Sequence, residues 1–433
     1  MNPAVRQAAA PALAVAFYLL LLLPPEFSVS LGSMRLSGYR ILLLALTPVL
    51  LARLFGGRAG QPIAADWLIG AHTAWVILAL VVYAGPVDGI ESGGIYFVEC
   101  VGAWLVGRMT IRDAGTHRAV LRFMIAVLLA MLVFTLPEAL TGNHLIRDLA
   151  RTVMGGPGLV PIDPRLGLER AYGSFDHPIL YGVFAGSTFA AGWYVLGEER
   201  VSLRSASLLG AIAFSCFLSL SAGPFVGLGI QFGILGWDRV TRGVDFRWAA
   251  LFALGALFFL AISLGSNRSP IKVLISYLSF SPVSSYNRIL IFEYGSAEVA
   301  RHPVFGIGFG DWIRAPWMSE SMDNFWLLTA VRYGLPALLF LVAAILALGF
   351  AQARGVRGDA RLERHRMAWV AMVVGMAVAG TTVHFWNALF AYFFFLLGSG
   401  AWLVQPPRSG ATRWVVLEPA RSAHTANPRP AGA

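Results

Sequence analysis

Three stretches of the sequence hold side chains able to grip a phosphate or move a proton. The first is Glu169-Arg170-Ala171-Tyr172-Gly173-Ser174-Phe175-Asp176-His177-Pro178. Pro178 suits the first position of a helix, so an N-terminus with free backbone N–H groups and a partial positive charge is expected here. Arg170 adds a fork of donors that fits a phosphate bidentately. Asp176 opposes a plain anion site unless Arg170 or His177 pairs with it, and Ser174, Asp176 and His177 serve equally well as helix caps. The second stretch is Tyr286-Asn287-Arg288, Glu293, and Arg301-His302-Pro303-Val304-Phe305-Gly306-Ile307-Gly308-Phe309-Gly310-Asp311-Trp312. Its alternating glycines lack the βαβ setting of a dinucleotide site, so they point to a tight turn or a close backbone approach. Ile289, Ile291 and Phe292 predict a short amphipathic surface helix that carries Arg288 to the level of lipid phosphates. An arginine reaching for any lipid headgroup would sit in the same place. The third stretch is Met322-Asp323-Asn324-Phe325-Trp326-Leu327, with Arg332-Tyr333-Gly334-Leu335-Pro336 downstream. Asp323 is placed to cap the helix that starts here, and an enclosed acid at that point is also a candidate general base. Arg332 lies inside an apolar run, costly unless it faces a polar cavity; Glu293 or a bound anion would supply its partner.

The elements that must position these residues are membrane helices. Of 433 residues, 57% are hydrophobic and 13% charged, and mean hydropathy is +0.67. Soluble domains carry roughly twice that charge fraction, and disordered chains are far less apolar. Long uncharged runs predict an all-α polytopic membrane protein with about twelve transmembrane helices, near 9–23, 39–55, 66–84, 93–108, 119–138, 178–197, 205–221, 223–238, 247–265, 324–350, 368–383 and 386–404. Pro24-Pro25-Glu26-Phe27 follow the first run in place of small residues, so it reads as an uncleaved helix. The net charge of +10 is mostly topology: 21 basic residues fall on the side of the N-terminus and 11 on the other. That bias puts both termini in the cytoplasm and makes nucleic-acid binding unnecessary. Residues 1–405 then form a single transmembrane domain and 406–433 a disordered cytoplasmic tail. Two long outer loops, about 139–177 and 266–323, hold most of the outer bases, including Arg147, Arg151, Arg165, Arg268, Lys272, Arg301 and Arg314. Nearby acids almost balance them, so an anion must be held by individual arginines at close range. Cys100 and Cys216 lie in apolar runs and read as small buried side chains, with neither disulfide nor zinc spacing.

Taken in order, the motifs resemble those of the O-antigen ligase and polymerase family of bacterial inner-membrane proteins. The residues that carry the resemblance are Arg170 with Gly173, Phe175 and Pro178; Ser221-Ala222-Gly223; Arg288; His302-Pro303-Val304-Phe305-Gly306-Ile307-Gly308; and Asp323-Asn324-Phe325-Trp326-Leu327 with Gly334-Leu335. They cover about 160 to 350, and outside that stretch only the helix count matches. The resemblance implies metal-independent, cofactor-free glycosyl transfer on the periplasmic side, from a glycan on undecaprenyl diphosphate to a sugar hydroxyl. Arg170 and Arg288, with Arg332, match the diphosphate-binding role, which stabilises the departing charge. The family's base is a histidine before the asparagine; here that position is Asp323. An unperturbed carboxylate, with a pKa near 4, is a weaker base at neutral pH, so His177, His302 and His384 are further candidates. Arg332 also stands where the family has a glutamate, and Ser221-Ala222 where it has serine-arginine.

The limited length of the outer loop before Asp323 favours a polymerase of exopolysaccharide or O-antigen over a ligase that must dock lipid A core. Its partners are then a lipid-linked oligosaccharide donor, a glycan acceptor and membrane lipid, with room for a chain-length regulator or a flippase. Two other classes compete. A transporter or flippase of lipid-linked glycans would show internal repeats and mid-membrane ionisable groups, and neither stands out in the sequence. A non-catalytic assembly component would tolerate loss of the candidate residues.

Overall fold

The computed structural model describes residues 3–404 except 32–33, 58–59, 156–158, 160–161, 268–269, 271–272, 274–281 and 356–357. The tail expected at 406–433, and with it Arg268 and Lys272 of the second long loop, lies outside the described residues.

A helix occupies each of the twelve expected apolar stretches. Long apolar runs leave the backbone no aqueous partners, and the α-helix satisfies every N–H and C=O within its own segment. Among the described residues six helices are long and apolar enough to cross a membrane: Gly38–Phe55, Ala64–Ala84, Ala114–Thr141, Pro178–Leu196, Arg247–Gly265 and Phe325–Ala353. Three shorter apolar helices, Pro11–Leu21, Leu203–Phe217 and Asn387–Leu403, stand beside them. The Arg247–Gly265 helix buries none of its residues against the rest of the protein. Both cysteines are buried and free.

The all-α expectation needs one amendment. Strands β1 (Ser28–Leu31) and β2 (Met34–Ser37) pair antiparallel, Ser28 opposite Ser37 and Leu31 opposite Met34. Polar and apolar residues alternate along both, the period of a strand and not of a helix. The hairpin delivers the chain to Arg40, whose Nη1 donates to the Arg35 carbonyl at 2.6 Å.

Both long loops contain helix. Leu145–Met154 lies in the first, and Pro282–Arg301 in the second is longer than the short surface helix expected around Arg288. Hydrogen bonds tie helix ends together here. Glu169 N–H donates to Ala139 O, Ala171 N–H to Leu218 O and Phe325 N–H to Gly380 O, each at 2.8–2.9 Å. The Ala114–Thr141, Leu203–Phe217 and Ala360–Ala379 helices therefore finish, and Pro178–Leu196 and Phe325–Ala353 begin, at one end of the helical body.

The Phe325–Ala353 helix is broken at that end. Gly334 has φ 82° and ψ 169°, outside any helical conformation. Pro336 has no N–H for the Arg332 carbonyl, and Leu335 N–H turns to Pro303 O at 2.8 Å instead of Val331 O. The two freed carbonyls are taken by the glycine turn: Ile307 N–H reaches Val331 O and Gly308 N–H reaches Arg332 O, both at 2.9 Å. A Cβ on Gly334 would stand 1.9 Å from Val304 O, and one on Gly306 2.4 Å from Val331 O. The glycines are there because two backbones touch, which is the close approach their spacing suggested.

Candidate functional site

The segment carrying Arg170 is fixed by an acid on the helix before it. Glu138 Oε1 accepts from Tyr172 N–H at 2.9 Å and Oε2 from Gly173 N–H at 3.1 Å. Arg147, a candidate anion holder by its loop position, is spent on structure: it pairs with Glu26 at 2.7 Å and donates to Phe175 O. Held this way, Arg170 is buried, with Nη2 on Ser221 Oγ at 2.6 Å and Nε on Ser219 O at 3.3 Å. The Arg170 and Ser221-Ala222-Gly223 motifs therefore meet in space. No carboxylate among the described residues pairs with the Arg170 guanidinium. Its pKa is pushed down to about 10 by burial and by the charge of Arg165, and it remains a cation at neutral pH.

Arg165 links the candidate residues. It donates to Leu220 O at 2.9 Å, and its charge helps to lower the pKa of Arg170, His177 and Arg288 alike. Two arginines and a histidine thus lie within electrostatic reach of one cation. Arg288, on the Pro282–Arg301 helix, is lowered by desolvation, while Asp323 acts in the opposite direction. Arg170, His177 and Arg288 share Arg165 as a neighbouring charge, and Asp323 acts on Arg288; Arg165, one loop base among eleven expected on that side, carried no motif to single it out.

Asp323 is not the cap of its helix. Asn324 is: its Oδ1 accepts from Leu327 N–H at 2.9 Å. The Asp323 carboxylate accepts instead from Ser321 Oγ at 2.8 Å and faces the charge of Arg288. Capping falls to the neighbouring asparagine, so the capping expectation for Asp323 is corrected.

His177 does cap. Its Nδ1 accepts from Ile179 N–H at 3.1 Å, opening the Pro178–Leu196 helix. Burial, then Arg170 and Arg165, push its pKa down to about 4, so the ring is neutral at pH 7. With Nδ1 accepting, the single proton sits on Nε2. This histidine is therefore a hydrogen-bond donor and not a base, suited to a phosphate oxygen. Asp176 pairs with neither Arg170 nor His177: its Oδ2 accepts from Asn387 Nδ2 at 3.1 Å. His302 stands apart, about half exposed, just past the Pro282–Arg301 helix and 3.6 Å from its Glu298. Among the described residues nothing joins it to the arginine cluster.

Arg332 belongs to a neighbouring cavity of about 260 Å³. Its guanidinium lies 5.2 Å from the centre of the Phe309 ring, and no carboxylate among the described residues pairs with it, Glu293 included. His384 lines the same cavity, its pKa pushed down to about 3 by burial and by Arg332. The other wall is a buried network: Glu99 Oε1 accepts from Tyr39 Oη at 2.6 Å and Arg40 Nε at 2.8 Å, and Arg40 Nη2 donates to Asn387 Oδ1 at 3.1 Å. Sequence reasoning passed over this network. The available signal was an acid, Glu99, inside an apolar run. It sits in a π turn, Val98–Gly102, a local irregularity that often marks a functional position. The cavity adjoins the arginine cluster: the Trp386 ring is 6.0 Å from that of His177.

Among the described residues no three His, Cys, Asp or Glu side chains are grouped as a metal site. No protein-family model and no curated protein matches this chain.

Proposed function

We propose that this chain is a glycosyltransferase of the bacterial inner membrane that polymerises a surface polysaccharide, as the resemblance to the O-antigen ligase and polymerase family implies. In this reading the chain crosses the membrane about twelve times, its termini are cytoplasmic, and the arginine cluster faces the periplasm. The donor is a glycan on undecaprenyl diphosphate; the acceptor is a sugar hydroxyl of another lipid-linked chain. The bond from the anomeric carbon to the diphosphate oxygen breaks as the bond to the acceptor oxygen forms. The acceptor proton passes to Asp323, and the diphosphate leaves with its negative charge among Arg165, Arg170 and Arg288, the His177 Nε2–H beside them. Stabilising that charge is the largest single task such a leaving group sets.

The observation that carries the reading is the gathering of like charges. Buried or partly buried cations crowded around Arg165 repel one another, and an anion lodged among them relieves that cost. A diphosphate has the charge to do so. An acid that its own helix does not need stands beside them.

One pair of observations favours a second reading. A helix broken at Gly334 beside a cavity, with the Arg40–Glu99 salt bridge on its wall, is also how transporters hold a charged substrate. Deleting the gene and analysing the lipid-linked glycan separates the possibilities. Single repeat units accumulating at the periplasmic face support the polymerase. Full-length chains stranded on lipid indicate a ligase, and repeats trapped at the cytoplasmic face indicate a flippase.

A further inference from the structure

The cavity beside the arginine cluster has polar groups that the reaction above does not use. Glu99 spends Oε1 on Tyr39 and Arg40, and among the described residues Oε2 has no donor. Arg332 presents a guanidinium laid against Phe309, without a carboxylate partner among the described residues. His384, neutral at pH 7, lies with its ring 5.6 Å from that of Trp386. A carboxylate oxygen accepts, a guanidinium donates, and a neutral imidazole does both. Around them the walls are aromatic, and flat aromatic faces cover the C–H face of a pyranose ring while in-plane polar groups take its hydroxyls. The volume, about 260 Å³, is below the roughly 300–1,000 Å³ of pockets for drug-sized ligands, so it suits one ring and not an oligosaccharide. A phosphate is a poorer fit, because the free oxygen of Glu99 would repel it. An acyl chain is poorer still, because it would leave Glu99 and Arg332 unsatisfied.

We propose that this cavity is a sugar subsite, holding one pyranose residue by its hydroxyls through Glu99 Oε2, Arg332 and His384, with Trp386 as a stacking face. Resting on the glycosyltransferase reading, the sugar held here is the terminal residue of the acceptor. Trp386 lies against the cavity on one side and His177 on the other, so that residue sits next to the diphosphate of the donor.

The test uses the full chain in lipid nanodiscs with the methyl glycosides of glucose, N-acetylglucosamine and glucuronic acid as probes. Saturation-transfer NMR reports contact directly, without any transfer reaction. At least one glycoside binds the wild type, and Trp386→Ala and Glu99→Gln each weaken that binding by about tenfold or more, the loss of a contact to a charged or stacking group. Trp386→Ala leaves the buried Arg40–Glu99 pair untouched, so it remains informative if Glu99→Gln misfolds. Arg170→Ala keeps glycoside binding. No binding of any glycoside to an active wild type overturns the subsite while leaving the transferase standing. Binding that ignores both cavity variants also overturns it. Glycoside binding that is lost in the variants, in a protein that makes no polymer, upholds the subsite and defeats the transferase.

Discussion

The two ends of the helical body treat arginine differently. At the end away from the candidate site, Arg108 is fully enclosed and lies 2.8 Å from Asp66, an acid that also accepts from Trp104 Nε1 at 3.0 Å. Asp238 likewise holds Arg247 at 3.0 Å and Arg242 at 3.2 Å, and accepts from Tyr194 Oη. At the site end Arg147 and Arg40 are paired in the same way, with Glu26 and Glu99, but Arg165 and Arg170 are held by carbonyls and a hydroxyl, and their charges are left to one another. An arginine neutralised by a carboxylate fixes helices. An arginine anchored by neutral groups keeps its charge for a ligand. The difference teaches that burial alone does not mark a functional cation; the chemistry of its partners does.

Breaking the paired end produces the largest effect on the fold. Arg108→Ala strands the Asp66 carboxylate in a buried site, and about 3–5 kcal/mol of stability is lost. A thermal or denaturant melt in detergent measures it. Arg170→Ala strands no acid, so it melts much closer to the wild type; equal losses from both variants would erase the distinction between the ends. Next in size is Gly334→Ala. Its φ of 82° and a Cβ 1.9 Å from Val304 O force the glycine turn off the broken helix, costing about 1–3 kcal/mol. Proteolysis between His302 and Gly310 accelerates accordingly.

A smaller effect sharpens the site end. Asn324→Ala removes a helix cap and costs about 1 kcal/mol, whereas Asp323→Asn leaves the melt unchanged and lowers turnover. The reverse pattern would return Asp323 to a structural role. The last is a pH effect. His177 is neutral in the fold down to about 4, but once unfolded it takes up a proton near 6.5. Between those values the unfolded chain binds more protons, so stability falls as pH drops from 6.5 toward 4. His177→Asn, which still caps the helix, flattens that slope in melts across the range.

Much of this was legible in the residues. The apolar runs located the helices, one to the residue at Arg247–Gly265, because helix is the only local solution to a backbone without water. Pro178 marked a helix start, and the Gly306 and Gly308 spacing marked a close approach, because both are local properties. What could not be read was long-range partnership. Arg40 and Asn387 are 347 residues apart in sequence, and no local pattern pairs them. Arg165 looked like any other loop base, and Asn324 won the cap from Asp323 by a single position. The number of crossings was also beyond local reading, because an apolar run of adequate length includes helices such as Leu203–Phe217 that are short in the fold.

The central claim is that Arg165, Arg170 and Arg288 hold the departing diphosphate. Its most direct test is elongation of a purified lipid-linked repeat unit by the full chain in nanodiscs, comparing wild type with Arg170→Ala and Arg288→Ala. The account predicts chain growth by the wild type and a rate at least about 100-fold lower in each variant, with both proteins inserted and folded. Chains made by both variants at the wild-type rate would contradict it.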